Sequence, residues 1–464
     1  MTTATSIDRI RQGPILSTLL RLSAPNVLAM GLAVLVAIAE TFYVGRLGTT
    51  PLAALGLVFP FAMLTGTLSA GAMGGVVSSA IARAIGAGDI ARAHVLAMHA
   101  ILIGGAMGIA YSLFFVFGSA AIFRWLGGQG GVLAEAVRYA NVLFAGAIFV
   151  WMSNTLASVV RGTGNMRVPS TGLVVVGLTQ VVTGGVLAFG LGPFPALGMV
   201  GVALGNIIAY ASGTFFFAWY LASGIGRLEL RLRGFPLRLE LLVDILRVGA
   251  LSCLSPLQTM LTMLVFTSLL ARLGEVPLAG YSIGLRLEFL VTSISFGVGV
   301  ASVPMVGMAI GAGDVARARR VAWIAAGVTG AIVAVVGLLV AIRPHLWAGM
   351  FSEDEQVLGS AYQYLRIAGP MFPLLCAALT MYFSSQGAGK MLGPVIAGTV
   401  RLGLAVGVGF WLAAQGAPAW HYFVLTAAVM VFYGITMAGL VHLTPWGPKS
   451  APVVGAAARE PGSS

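Results

Sequence analysis

Gly86-Ala87-Gly88-Asp89-Ile90-Ala91-Arg92-Ala93 recurs as Gly311-Ala312-Gly313-Asp314-Val315-Ala316-Arg317-Ala318, 225 residues further along the chain. Two more pairs keep the same order and nearly the same offset. Arg46-Leu47-Gly48 with Pro51-Leu52-Ala53 returns as Arg272-Leu273-Gly274 with Pro277-Leu278-Ala279, and Gly162-x-Gly164-x-Met166-x-x-Pro169 returns as Gly387-x-Gly389-x-Met391-x-x-Pro394. The 464 residues are therefore two copies of one larger unit, and local features have to be read within that repeat.

Each copy is almost wholly apolar. The chain is 58% hydrophobic and 9% charged, where soluble domains carry about 25% charged residues. So few charges suffice only when most of the surface faces lipid. Apolar runs at 17–44, 52–80, 93–118, 137–160, 168–191, 196–223, 244–270, 278–309, 320–342, 361–384, 393–415 and 420–441 each exceed the roughly 20 residues that cross a bilayer. An offset of 225 residues covers six of these runs, an even number, so both halves cross in the same sense. The expected fold is all-α and integral to the membrane: about twelve transmembrane helices in two six-helix lobes, related by a pseudo-two-fold axis along the membrane normal. The expected divisions are an N-terminal tail at 1–16, an N lobe at 17–226, a linker at 227–247, a C lobe at 248–443 and a C-terminal tail at 444–464.

Lys and Arg total 26 against 14 Asp and Glu, a net charge of +12. No basic face beside stacking aromatics accompanies that excess, so it does not describe a nucleic-acid reader. The basic residues instead gather in alternate loops, among them Arg83, Arg92, Arg161, Arg167, Arg227, Arg231, Arg233, Arg238, Arg247, Arg317, Arg319, Arg320, Lys449 and Arg459. By the positive-inside rule both termini are cytoplasmic and the protein is multi-pass in the cell (plasma or inner) membrane, in contact with its lipid. Cys253 and Cys376 lie within spans and read as small core residues. The first apolar run has no small-residue cleavage site and does not read as a signal peptide. The Gly-Ala-Gly-Asp turns lack the Gly-Lys-Ser/Thr ending of a phosphate loop, and Asp89 and Asp314 read as N-caps of short cytoplasmic helices.

These residues resemble the multidrug and toxic compound extrusion (MATE) family. The resemblance is carried by Glu40-Thr41-Phe42-Tyr43-Val44-Gly45-Arg46-Leu47-Gly48, the first Gly-Ala-Gly-Asp turn, Arg161-Gly162-x-Gly164-Asn165 and Phe194-Pro195-Ala196-Leu197-Gly198, and it covers roughly residues 15–440. It implies a cation-coupled exporter of organic, often cationic, compounds. Two departures matter. Glu40 stands where the family usually carries Asp, and an Asn-x-x-x-Asp pair of the fifth span is replaced by Gln180 and Gly184, so the second carboxylate is missing.

Glu40 and Glu288 are the acidic residues well inside spans. A carboxylate in hydrocarbon costs about 2.5–3.5 kcal/mol even on the mildest scale, so it persists for a reason. Removal from water penalises its charged form, the property that a proton-coupled carrier uses. Tyr43 shares a face with Glu40, and Asn154, Gln180, Asn206 and Tyr210 are the uncharged polar candidates of the first lobe. In the second lobe Tyr281, Gly284, Glu288, Thr292 and Ser295 form one polar stripe, with Gln258 on the preceding span. Arg286 and Arg401 are the basic residues deep in spans. Arg286 lies about 200° round the helix from Glu288 and is expected to meet another helix, with Glu40 at similar depth as one partner. The competing readings are an interfacial Glu40 reaching the outer surface, a structural ion pair at Glu288, and interhelical hydrogen bonds for each amide.

The leading expectation is an antiporter that exports organic, cationic or amphipathic compounds by alternating access. It would work as a monomer without cofactor, coupled to H⁺ in preference to Na⁺ because Glu40 has no partner carboxylate. The rival is a flippase for lipid-linked or polysaccharide substrates from the same broad superfamily. That function needs a cationic central cavity, and only Arg286 and Arg401 offer one. A membrane enzyme would need convergent nucleophile, base or metal ligands, which the sequence does not present, and a non-transporting receptor has no use for a six-span repeat.

Overall fold

The two Gly-Ala-Gly-Asp turns each start a long helix, of 36 and 28 residues. In the computed structural model, which describes residues 3–226, 228 and 237–447, Asp89 accepts from the backbone N–H of Arg92 at 2.8 Å and Asp314 from that of Arg317 at 2.8 Å. Gly88 and Gly313, both at φ +80°, make the left-handed turn just before each cap. The capped helices are not the short ones expected. They are the spans Ile90–Trp125 and Val315–Ile342, because the apolar run resumes within one turn and the helix simply continues into it.

Every regular element among the described residues is helical. In chain order they are α1 (Thr3–Gln12), α2 (Ile15–Leu47), α3 (Thr49–Gly86), α4 (Ile90–Trp125), α5 (Gly130–Ala145), α6 (Ala147–Gly162), α7 (Arg167–Phe189), α8 (Met199–Ala222), α9 (Leu239–Ala271), α10 (Glu275–Gly311), α11 (Val315–Ile342), α12 (His345–Ala348), α13 (Glu355–Gly387), α14 (Leu392–Ala414) and α15 (Ala419–Leu443). Eleven of these are long and apolar enough to cross a membrane, and α5 with α6 makes a twelfth span bent by 43°. The break falls at Gly146, where the side chain of Ile207 occupies the space that a Cβ would need. Its counterpart in α13 is milder, a 3₁₀ turn at Gly369–Met371 that holds Pro370. α3 is locally widened by a π-helical stretch at Thr67–Met73. Of the expected linker, residues 227 and 229–236, with Arg227, Arg231 and Arg233, lie outside the described residues, as do residues 448–464 with Lys449 and Arg459.

The chain folds as two six-span lobes, α2–α8 and α9–α15. Within a lobe, small residues let helices approach closely, as the lipid phase supplies no hydrophobic drive between them. Gly205 of α8 lies against the backbone of Gly184 in α7, and Gly201 against Leu187.

Between lobes, the contacts gather at the end that bears the Gly-Ala-Gly-Asp turns. Gly307 and Gly311 of α10 pack on Ala82 and Arg83 of α3, and Gly297 packs on Val27 of α2. Asn26 donates to the Gly297 carbonyl at 3.1 Å across the same seam. α1 lies over this end: Arg317 donates to the carbonyls of Ile10 and Gly13 at 3.1 and 2.7 Å, and Ile10 is buried. Towards the opposite end Phe59 and Met63 of α3 are exposed, as are Leu261 and Leu264 of α9. Among the described residues the lobes are joined at the end that bears the Gly-Ala-Gly-Asp turns.

Candidate functional site

In the N lobe three helices converge on Glu40. The hydroxyl of Tyr139, from α5, donates to Glu40 Oε1 at 3.1 Å. The amide of Gln180, from α7, donates to Oε2 at 3.2 Å. Tyr139 is buried and Glu40 itself is half-buried. Tyr210 of α8 lies within electrostatic reach of the carboxylate. Each carboxylate oxygen thus has a neutral donor, and no described cation is hydrogen-bonded to it.

The other residues expected at this site have different partners. Tyr43 points its hydroxyl at the Val181 carbonyl, 3.2 Å away, and packs edge-on against Phe189 at 5.7 Å. It braces α2 against α7, the helix that carries Gln180. Asn154 lies deeper towards the closed end, where it donates to Ser69 at 2.8 Å beside the π-helical stretch of α3. Asn206 is half-buried in α8 and bonds to none of the residues named here. Of the first-lobe amides, only Gln180 reaches Glu40.

In the C lobe a second acid has a parallel setting. The hydroxyl of Tyr364, from α13, donates to Glu288 Oε2 at 3.4 Å. Tyr139 and Tyr364 are 225 residues apart, the offset of the repeat. They are one tyrosine in two copies, and that offset is the signal from which sequence reasoning could have found both. The acids they hold are not copies: Glu40 belongs to the first span of its half and Glu288 to the second. Glu288 lines a cleft of about 50 Å³ with Thr259, Thr262, Tyr281 and Arg401, among others. That volume accommodates a few water molecules and falls far below the roughly 300 Å³ of a drug-sized site.

Tyr281 is buried edge-on against Tyr364, with ring centroids 5.4 Å apart. Gln258 donates to Thr399 at 2.8 Å and to the Val395 carbonyl at 3.2 Å, tying α9 to α14. Arg286 is exposed and sits over the Phe351 ring, 5.0 Å from its centroid. It meets a residue beyond α11 and not Glu40, whose two oxygens are held by Tyr139 and Gln180 of its own lobe. The basic residue facing Glu288 is Arg401 of α14, buried and 5.1 Å from the centroid of Tyr433.

At the closed end a third cluster joins the lobes. Gln386 of α13 donates to the carbonyls of Gly71 and Ala72 at 3.2 and 2.8 Å. Ser79 of α3 donates to the carbonyls of Gln386 and Gly387 at 2.7 and 2.9 Å. Arg83 reaches Ser79 and, at 3.3 Å, the Gly387 carbonyl. Gly71 and Ala72, the acceptors of Gln386, both lie in the π-helical stretch of α3.

Comparison with known proteins places this architecture. A family model described as MatE matches residues 25–190 and 252–411, one segment in each lobe. The multidrug export protein MepA of Staphylococcus saprophyticus is 26% identical over 390 residues, 82% of this chain and 84% of the relative. An FAD transporter of Shewanella oneidensis is 24% identical over 354 residues, 74% of this chain and 76% of the relative. Among solved structures, an outward-facing multidrug resistance MATE transporter of the MOP superfamily superposes with a TM-score of 0.83 at 25% identity, covering 94% of this chain and 97% of that one. Two lobes joined at one end, a repeat that crosses both and a model match in each lobe agree: the chain belongs to the MatE family of multidrug efflux transporters.

Proposed function

We propose that this protein is a secondary active antiporter that exports organic, cationic or amphipathic compounds in exchange for H⁺, with Na⁺ the second choice, and that Glu40 is the coupling site. The observation that carries this reading is the Glu40 carboxylate between two neutral donors, Tyr139 and Gln180. A carboxylate so placed inside a membrane protein can be neutralised only by a cation that arrives: a proton, Na⁺ or a cationic solute. A proton and a cationic solute then compete for one negative charge, which is the linkage that exchange transport requires. Tyr139 and Gln180 hold the empty carboxylate, and Tyr43 fixes α7 at the distance at which Gln180 can do so.

The closed end supplies the other half of the cycle. The Gln386, Ser79 and Arg83 contacts seal one side while the other is open, and rocking of the lobes at 17–226 and 248–443 would break them. By the positive-inside rule the sealed end and both termini face the cytoplasm and the other end faces outside. In this state Glu40 takes up a proton from outside as solute leaves. A single chain contains both lobes and the cleft between them, which makes the working unit a monomer with a small-molecule substrate and surrounding lipid as its partners. One relative is an FAD transporter, which widens the solute class beyond simple cations, so amphipathic aromatic compounds belong among the first substrates tried.

The test is efflux of a cationic dye from liposomes under an imposed pH gradient and then an Na⁺ gradient, for wild type and Glu40→Gln. Gradient-driven efflux that is lost in Glu40→Gln is the expected result, and the gradient that works names the ion. Equal efflux in both proteins would sink the assignment of Glu40.

A further inference from the structure

The C-lobe cleft contains a feature that exchange at Glu40 does not use. Glu288 and Arg401, opposite charges from α10 and α14, face the same small space without a hydrogen bond between them. Arg401 is only 7% exposed, its guanidinium lies against Tyr433, and its Nε has no hydrogen-bond partner. Glu288 accepts from Tyr364 alone.

The remaining groups around the pair are neutral or already committed. Thr262 donates to the Gln258 carbonyl, Thr259 to that of Ser255 and Thr426 to that of Tyr422, each a back-bond within its own helix. Tyr281 on α10, Tyr364 and Cys376 on α13 and Tyr433 on α15 are the titratable neighbours, and all are uncharged in their ordinary forms. Each of the two charges therefore has only the other to balance it. Burying either one alone is unfavourable, whereas the pair together is neutral.

We propose that Arg401 is a tethered counter-ion for Glu288, a built-in cation that stands in the C lobe where the N lobe takes up a mobile one. The cleft is too small for an organic solute and already balanced without a free ion, so the C-lobe acid is a fixed charge. One coupling ion is then carried per cycle, at Glu40. This consequence rests on the exchange reading given above. The pairing of Arg401 with Glu288 does not.

The experiment reads the carboxyl groups directly. Infrared difference spectra of the full-length protein in detergent, recorded between acidic and neutral pH in H₂O and D₂O, report each buried carboxyl that gains or loses a proton. Wild type is expected to show one such band, absent in Glu40→Gln and unchanged in Glu288→Gln. Arg401→Gln should add a second band that disappears in the Arg401→Gln/Glu288→Gln double variant, and Arg401→Lys should restore the single-band spectrum. A wild-type band that vanishes in Glu288→Gln overturns the proposal, and so does an Arg401→Gln spectrum with no new band. If Arg401→Gln does not fold, the comparison of wild type with Glu288→Gln still decides. Failure of gradient-driven efflux would remove the exchange reading and leave the spectra to judge the counter-ion alone.

Discussion

The two lobes set nearly the same chemistry in different ways. Each has a tyrosine at the repeat-equivalent position, Tyr139 or Tyr364, that donates to a carboxylate inside the membrane. In the N lobe the acid comes from α2 and its second donor is the amide of Gln180. In the C lobe it comes from α10 and the second group facing it is the guanidinium of Arg401. The tyrosines occupy equivalent positions of the repeat, whereas the acids stand on different spans of their halves and only Glu288 faces a basic side chain. The repeat places a tyrosine beside a carboxylate in both lobes, while the second group at each carboxylate, an amide in one and a guanidinium in the other, differs.

The largest effects should separate the two acids. Glu40→Gln is expected to reduce gradient-driven dye efflux to the level of empty liposomes while leaving thermal stability in detergent close to wild type. Glu288→Gln should do the reverse: coupling persists, and the unpaired Arg401 lowers stability by about 3–5 kcal/mol, the typical cost of breaking a buried pair from one side. Coupling lost in both variants, with stability intact, would erase the distinction between the lobes.

The tyrosines give the next test. Tyr139→Phe removes a hydrogen bond to a carboxylate, worth about 1.5–3 kcal/mol, and should slow efflux by about tenfold, the equivalent of 1.4 kcal/mol. Tyr364→Phe should slow it much less, since the bond is longer at 3.4 Å and Arg401 remains. Equal losses in initial-rate assays would mean that the two tyrosines do the same work.

The seam between the lobes is a comparison of ends. Gln386→Ala removes two hydrogen bonds that cross it and is expected to cost the closed state about 1–3 kcal/mol. Spin labels at Thr50 and Glu275, on the open side and in a background lacking Cys253 and Cys376, should then report a shorter distance as the mouth closes. An unchanged distance distribution would show that the seal does not depend on Gln386.

The smallest effect tests the repeat itself. Asp89→Ala and Asp314→Ala each remove a side-chain cap, about 1 kcal/mol, and the two losses should match within error in thermal melts. Unequal losses would show that the turns, alike in sequence and in φ, bear different loads.

Much of this was readable in advance, for particular reasons. The twelve spans follow from run length and the paired lobes from the 225-residue offset, both properties of the linear chain. The caps at Asp89 and Asp314 are local, set by side chains bonding three residues on. Glu40 was conspicuous because any carboxylate in a span is. The partners were less legible. Gln180 stood among four first-lobe amide and tyrosine candidates, and nothing in sequence ranks it above Asn154, which turns instead to Ser69. Arg286, two residues from Glu288, looked the nearer cation, yet helical geometry turns it outwards to Phe351 and brings in Arg401 from more than a hundred residues away.

The sequence by itself determined the membrane class, the span count and the parallel repeat, because lipid imposes length and apolarity on every span and the repeat is written in its turns. Tertiary structure alone decided which carboxylate faces a basic side chain and at which end the lobes are joined. Those depend on the rotation and depth at which helices meet, set by glycine contacts such as Gly205 on Gly184 and by the widened turn at Thr67–Met73. Such contacts join residues with no relation along the chain, and a one-dimensional pattern has no means of recording them.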